Sequence, residues 1–271
     1  VYKRQALTSF LGAGYTNRGR HPFARVVAAG ATYLKAGQQG DGSFVPAGTP
    51  WRARQHALAT LAMTQLFHLT ESPLYEASAA AAQAVLESRW REEAEDDLAT
   101  GYTVLAQWAE RSLHAERAAR GKESAWRIEG RDAWTTDLIE ACRSLAMARP
   151  FRARAVGCCG LTLLGGEQEG AAVRPILDRL LDDIERHPLR DPAAIEFGVL
   201  AAYRLGGDIW KAWNTRFNET VPAAQHEGEA CCLGGAWTSE TVCPGGVSES
   251  TALYLLASEH YYRFDRVVGV R

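Results

Sequence analysis

Gln39-Gly40-Asp41-Gly42-Ser43-Phe44 closes the first copy of a pattern that returns four or five times along the chain. In each copy an apolar helical stretch ends at a polar or glycine turn, and a second helical stretch follows. Ala57-Leu58, Leu61-Ala62 and Gln65-Leu66 continue an apolar stripe to Leu69 at i, i+3/i+4 spacing, as one face of a helix requires. Glu71-Ser72-Pro73 stops that helix and starts the next, proline being tolerated in a first turn. The segment from Leu74 to Trp90 is rich in alanine, a strong helix former that lets neighbours approach closely.

Working outward, Gly198 to Gly207 ends one helix in glycines, and Asp208 to Trp213 opens its partner. Val156 to Gly166, followed by Ala171 to Arg186, is a third hairpin, and Thr100 to Leu113 is a further first helix. The partner of that helix is less distinct across Gly121 to Arg131, and Ser250 to Phe264 is a last, unpaired helix. First helices begin near positions 51, 97, 150, 191 and 248, with a fragment of another at Ala6 to Ala13. One such hairpin cannot bury its apolar face alone, so stacked neighbours must supply the core. The fold expected is all-α, in one domain spanning residues 6–271.

Composition agrees with a sizeable core: 271 residues are 46% apolar. A formal charge of −2 and a pI near 6.4 give no field expected to draw nucleic acid or an anionic membrane, and basic residues read as scattered. No apolar run approaches the roughly 18–20 residues that span a bilayer. The chain begins at Val1 without methionine, and residues 1–5 are expected to be a non-native adaptor remnant on an N-terminally truncated protein. The compartment, cytoplasmic or periplasmic, stays open. Six cysteines (Cys142, Cys158, Cys159, Cys231, Cys232 and Cys243) lack C-x-x-C spacing and read as small buried apolar residues, so no metal and no cofactor is expected.

The stretch Gly30-Ala-Thr-Tyr-Leu-Lys-Ala-Gly-Gln-Gln-Gly-Asp-Gly-Ser-Phe44 resembles the QW-type repeat of squalene and oxidosqualene cyclases and of protein prenyltransferase β subunits. Gln39, Gly42 and Phe44 are the matching positions, with Phe44 where tryptophan is more usual. Gln225 and Trp237 frame a second, stretched copy that carries Cys231-Cys232. Phe10 to Thr16, Gln55 to Ala62, Leu205 to Asn214 and Ser250 to Phe264 also look like blocks of the prenyltransferase/squalene-oxidase-repeat proteins common in planctomycetes and related bacteria. These blocks cover most of the chain in the family's order. The resemblance implies an α/α toroid of helical hairpins, with an inner and an outer ring of helices, of the terpenoid-cyclase/prenyltransferase superfamily.

The family's chemistry maps on incompletely. Triterpene cyclases protonate an alkene through Asp-x-Asp-Asp, and Ala94-Glu-Asp-Asp97 keeps Asp96 and Asp97 but has Ala94 in the first position. By resemblance the two acids are candidate general acids, and by position they are helix caps. The prenyltransferase zinc set needs Asp-x-Cys, which does not occur, and Ser250 stands where its histidine is expected. Gly165-Gly-Glu-Gln168 echoes a complement thioester motif without the cysteine. His56 sits near the start of an inner helix, facing either a cavity or a packed neighbour. Trp51, Tyr102, Trp134, Tyr203 and Tyr254 lie on or beside presumed inner helices, either lining a pocket or filling a core. The function expected is a non-catalytic module that binds a hydrophobic, isoprenoid-like ligand or a peptide in a central cavity or at its rim. A terpene-cyclase-like isomerase using Asp96 or Asp97, and a protein-interaction scaffold, are the alternatives.

Overall fold

A computed structural model describes residues 2–49, 52–93, 96–122, 126, 131–186, 191–227, 233–239 and 246–260. Among them are eleven α-helices and one 3-10 turn, Pro222–Ala224, and no strand. The helices are α1 Tyr2–Gly12, α2 Ala24–Gly37, α3 Arg52–Thr70, α4 Pro73–Glu93, α5 Asp97–Ala119 and α6 Arg131–Ala146. They continue as α7 Phe151–Leu164, α8 Gly166–Arg186, α9 Pro192–Leu205, α10 Gly207–Thr220 and α11 Gly246–Ser258. The protein is an all-α helical-repeat chain. Its first helices start at 52, 97, 151, 192 and 246, within two residues of the positions read from sequence.

Contacts divide the chain into two compact units, Lys3–Asp137 and Leu138–His260, where one domain over 6–271 is expected from sequence. In the first unit α3 packs against its hairpin partner α4 and against α5, and α2 packs on α3. In the second, α7 packs on α8 and α9, while α9 also meets α10 and α11. Helices α3, α5, α7, α9 and α11 are buried along most of their length. They are rich in small and apolar residues on most faces, as a deeply buried helix requires, and they also bury polar side chains such as Gln65, Gln107, Glu110 and Glu196. Their partners are one-sided: α8 buries Val173, Leu177, Leu180 and Ile184 at spacings of four, three and four. Helix α10 likewise buries Ile209, Trp213 and Phe217.

Local chemistry sets the boundaries. Asp96 caps α5, its Oδ1 accepting from Ala99 N at 2.7 Å. Asp191 caps α9, its Oδ1 accepting from the amides of Ala193 and Ala194 at 3.1 Å each, with Pro192 in the first turn. Close packing depends on residues without side chains. A Cβ on Gly157 would stand 2.2 Å from Ala146 N, so the backbones of α6 and α7 touch there. Helix α1 runs through the first residues of the chain: Arg4 donates to Gln55 Oε1 at 2.7 Å, and Gln5 donates to the Tyr102 hydroxyl at 3.3 Å.

Candidate functional site

Two turns organise the surroundings of the residues singled out in the sequence, one in each unit. In the first, α2 ends and Gln38 takes an extended conformation. Gln38 Nε2 donates to Gly42 O at 3.0 Å and to Ser78 O on α4 at 2.9 Å, while Ser78 Oγ donates back to Gln38 Oε1 at 2.6 Å. Gly42 has φ +91°, and a Cβ there would meet Ala81 O at 2.7 Å. Only glycine fits both the turn and the approach to α4. Two residues later, Phe44 N donates to His56 Nδ1 at 3.2 Å.

His56 is thereby a bracket. Its Nδ1 accepts from Phe44 and its Nε2 lies 3.0 Å from Ala82 O, a pattern that assigns the ring proton to Nε2. The ring is 4% exposed, and burial lowers its pKa from 6.5 to about 4. At neutral pH it is an uncharged side chain with both nitrogens engaged, so it is placed to hold α3, α4 and the turn together. Beside it, Ala53, Val85, Trp90 and Thr103 help to enclose a void of only about 10 Å³, at most the size of one water.

The second turn repeats the device. Gln225 is again the first extended residue after a helical turn, and its Nε2 donates to Gly235 O at 2.6 Å. Gly235 has φ +78°. Two residues later, Trp237 N donates to Thr251 Oγ1 at 3.1 Å, and the indole Nε1 donates to Val221 O at 2.7 Å. The matching glutamine of the first turn is therefore Gln38. The neighbouring Gln39 contributes backbone, its amide donating to Ser43 O at 2.7 Å, while its side chain turns back to Gly37 O.

The other expected site residues are dispersed. Tyr102 is fully buried against Gln5, and Trp134 is buried on α6. Tyr254 is fully buried with its ring 5.8 Å from Trp237, and half-buried Tyr203 stands edge-on to Trp210 at 5.1 Å. Asp96 is occupied as the α5 cap, and Asp97 lies in the first turn of that helix. Trp51, Cys231, Cys232 and Cys243 lie outside the described residues. Of the expected residues that are described, His56 lines the small void beside α3, and none lines the groove between α1 and α2. Burial raises the thiols of Cys142 and Cys158 to about 12 and that of Cys159 well above its usual value, which makes all three poor nucleophiles. Among the described residues no group of three or more His, Cys, Asp or Glu side chains is placed to hold a metal.

Space for a ligand appears between α1 and α2, within the first unit. A groove of about 300 Å³ is lined by Leu7, Phe10, Val26, Ala29, Gly30 and Tyr33. Tyr15 and Phe10 contact Phe23 at ring separations of 4.9 and 5.2 Å, and Lys3 Nζ lies 4.7 Å over the Tyr33 ring. Glycine at position 30 lets α1 and α2 approach closely at the groove, since a Cβ there would come within 3.2 Å of Leu7. These residues are missed in the sequence reading; their signal is a second apolar stripe on α2, at 26, 29/30 and 33, beside the buried stripe at 27, 31 and 34, and packing is what shows it open. No protein-family model matches the chain, and neither a curated protein nor a solved structure matches it.

Proposed function

We propose that the protein is a non-catalytic helical-repeat module that binds a hydrophobic, isoprenoid-like molecule in the groove between α1 and α2. The observation that carries this reading is the groove itself. Its volume of about 300 Å³ lies at the lower end of small-molecule sites, and its lining is almost wholly apolar. The void beside His56 is far too small for such a ligand. The sequence resemblance to isoprenoid-handling proteins supplies the ligand class, and an α/α toroid remains part of the proposal on the same ground.

The isomerase alternative is less well supported. As a proton donor to an alkene, Asp96 would need a protonated carboxyl facing a substrate-sized space. It is instead the acceptor that starts α5, and neither pocket described above includes it. The test is mass spectrometry of an organic extract of the native protein against a denatured control, with Gly30→Trp and Val26→Asp measured in parallel. The expected result is a stoichiometric isoprenoid or related lipid that both substitutions abolish while circular dichroism stays native. A clean native extract, together with no uptake of added farnesol, would overturn the reading.

A further inference from the structure

We infer that the outward face of α2 docks on an anionic lipid bilayer surface. Helix α2 is apolar on two sides. One stripe, Val27, Ala31 and Leu34, is buried in the first unit. The other carries Val26, Ala29 and Tyr33 and continues the line of Phe23. Its large members are open to solvent, with Phe23 36%, Val26 53% and Tyr33 51% exposed. Exposed apolar side chains gathered on one helix face point to a partner.

Charge identifies the partner. No Asp or Glu precedes Asp41, whereas Lys3, Arg4, Arg18, Arg20, Arg25 and Lys35 all fall in that span. The net charge of −2, from which no membrane-attracting field is expected, conceals this local segment, whose six cations stand against an acidic remainder. All of these cations except Arg4 are exposed. Arg25 flanks the stripe on α2 itself, and Lys3 borders it from α1, its ammonium over the Tyr33 ring. An apolar helix face with cations at its edges matches the interface of an anionic bilayer, where rings and aliphatic groups sink to the acyl boundary and cations meet headgroups. A second copy of the chain would instead bring like charges together at the same edge. No helix among the described residues is long and apolar enough to cross a membrane, so the contact is one of surface docking. Because Val26 and Tyr33 also line the groove, its mouth would open on the lipid. The docking itself does not depend on a bound ligand.

Co-sedimentation with phosphatidylcholine vesicles, with and without phosphatidylglycerol, tests this. Binding is expected to be at least ~10-fold stronger with the anionic lipid and to weaken with added salt. Arg20→Glu/Arg25→Glu, which leaves the groove lining intact, should cut it several-fold. Val26→Asp/Tyr33→Asp should abolish it, while Met147→Asp, at an exposed apolar residue of the other unit, should leave it unchanged. All are surface changes, and melting curves verify folding. Ala6→Trp, which fills the groove from α1 and leaves the α2 face untouched, separates the two proposals, since it should end ligand retention and spare vesicle binding. Equal binding to neutral vesicles, no binding, or binding indifferent to these charge and stripe substitutions would overturn the inference. So would dimerisation through this face without lipid binding.

Discussion

The turns at Gln38–Phe44 and Gln225–Trp237 solve one mechanical problem with different chemistry. In each, a glutamine beyond a helical turn bonds the carbonyl of a glycine with positive φ, and an aromatic residue two positions on donates its amide to the next buried helix. The acceptors differ. In the first turn it is His56, an ionisable ring that also bonds Ala82 O, while in the second it is the hydroxyl of Thr251. The surroundings differ too. Gly42 presses on the α4 backbone, whereas the nearest atom to a Cβ on Gly235 would be Gln225 Nε2 at 3.9 Å. The aromatic-turn motif is therefore a joint between helices, whose side chains can be exchanged if an acceptor is kept.

One methyl group added to each glycine should separate the two turns most. Gly42→Ala should cost about 3 kcal/mol, from left-handed backbone strain plus the clash with Ala81, and Gly235→Ala about 1 kcal/mol, from strain alone. Urea unfolding of both variants measures the difference, and equal costs would refute the asymmetry.

Acid should separate the joints next. His56 has a folded pKa near 4 and an unfolded value of 6.5, so the unfolded chain takes up the proton first as pH falls. Its contribution is complete above pH 6.5 and declines toward pH 4, by up to ~3 kcal/mol. His56→Gln should flatten that part of the stability–pH curve, and Thr251→Val should leave its shape unchanged. A smaller effect sharpens the second joint. Trp237→Phe keeps an aromatic ring but removes the indole donor to Val221 O, which retains its bond from Ala224 N, and should cost about 1 kcal/mol in denaturant. Smallest of all, Asp96→Asn should shift stability by less than about 0.5 kcal/mol, because asparagine caps as well as aspartate, and ligand retention should persist.

Much of this was legible in the chain. Helix starts were readable because Asp96, Pro73 and Pro192 act locally, through caps and fixed φ. The all-α fold followed from 3.6-residue periodicity, and Gly42, Phe44, Gln225 and Trp237 were found as motif members. The choice between Gln38 and Gln39 was not readable, since adjacent identical residues differ only in which one can reach Ser78. The groove escaped for a related reason. Val26 and Tyr33 look like core residues in a helix that already has a core stripe, and only packing shows which stripe is left open. His56 was correctly placed near the start of its helix, but its double engagement depends on Ala82, twenty-six residues away.

Photo-crosslinking with a diazirine-bearing farnesyl analogue, mapped by peptide mass spectrometry, tests most directly where the function resides. Adducts on Phe10, Val26 and Tyr33, lost in Gly30→Trp, are the predicted result. Adducts gathered instead around Asp96 and Tyr102, or none above the denatured control, would contradict it.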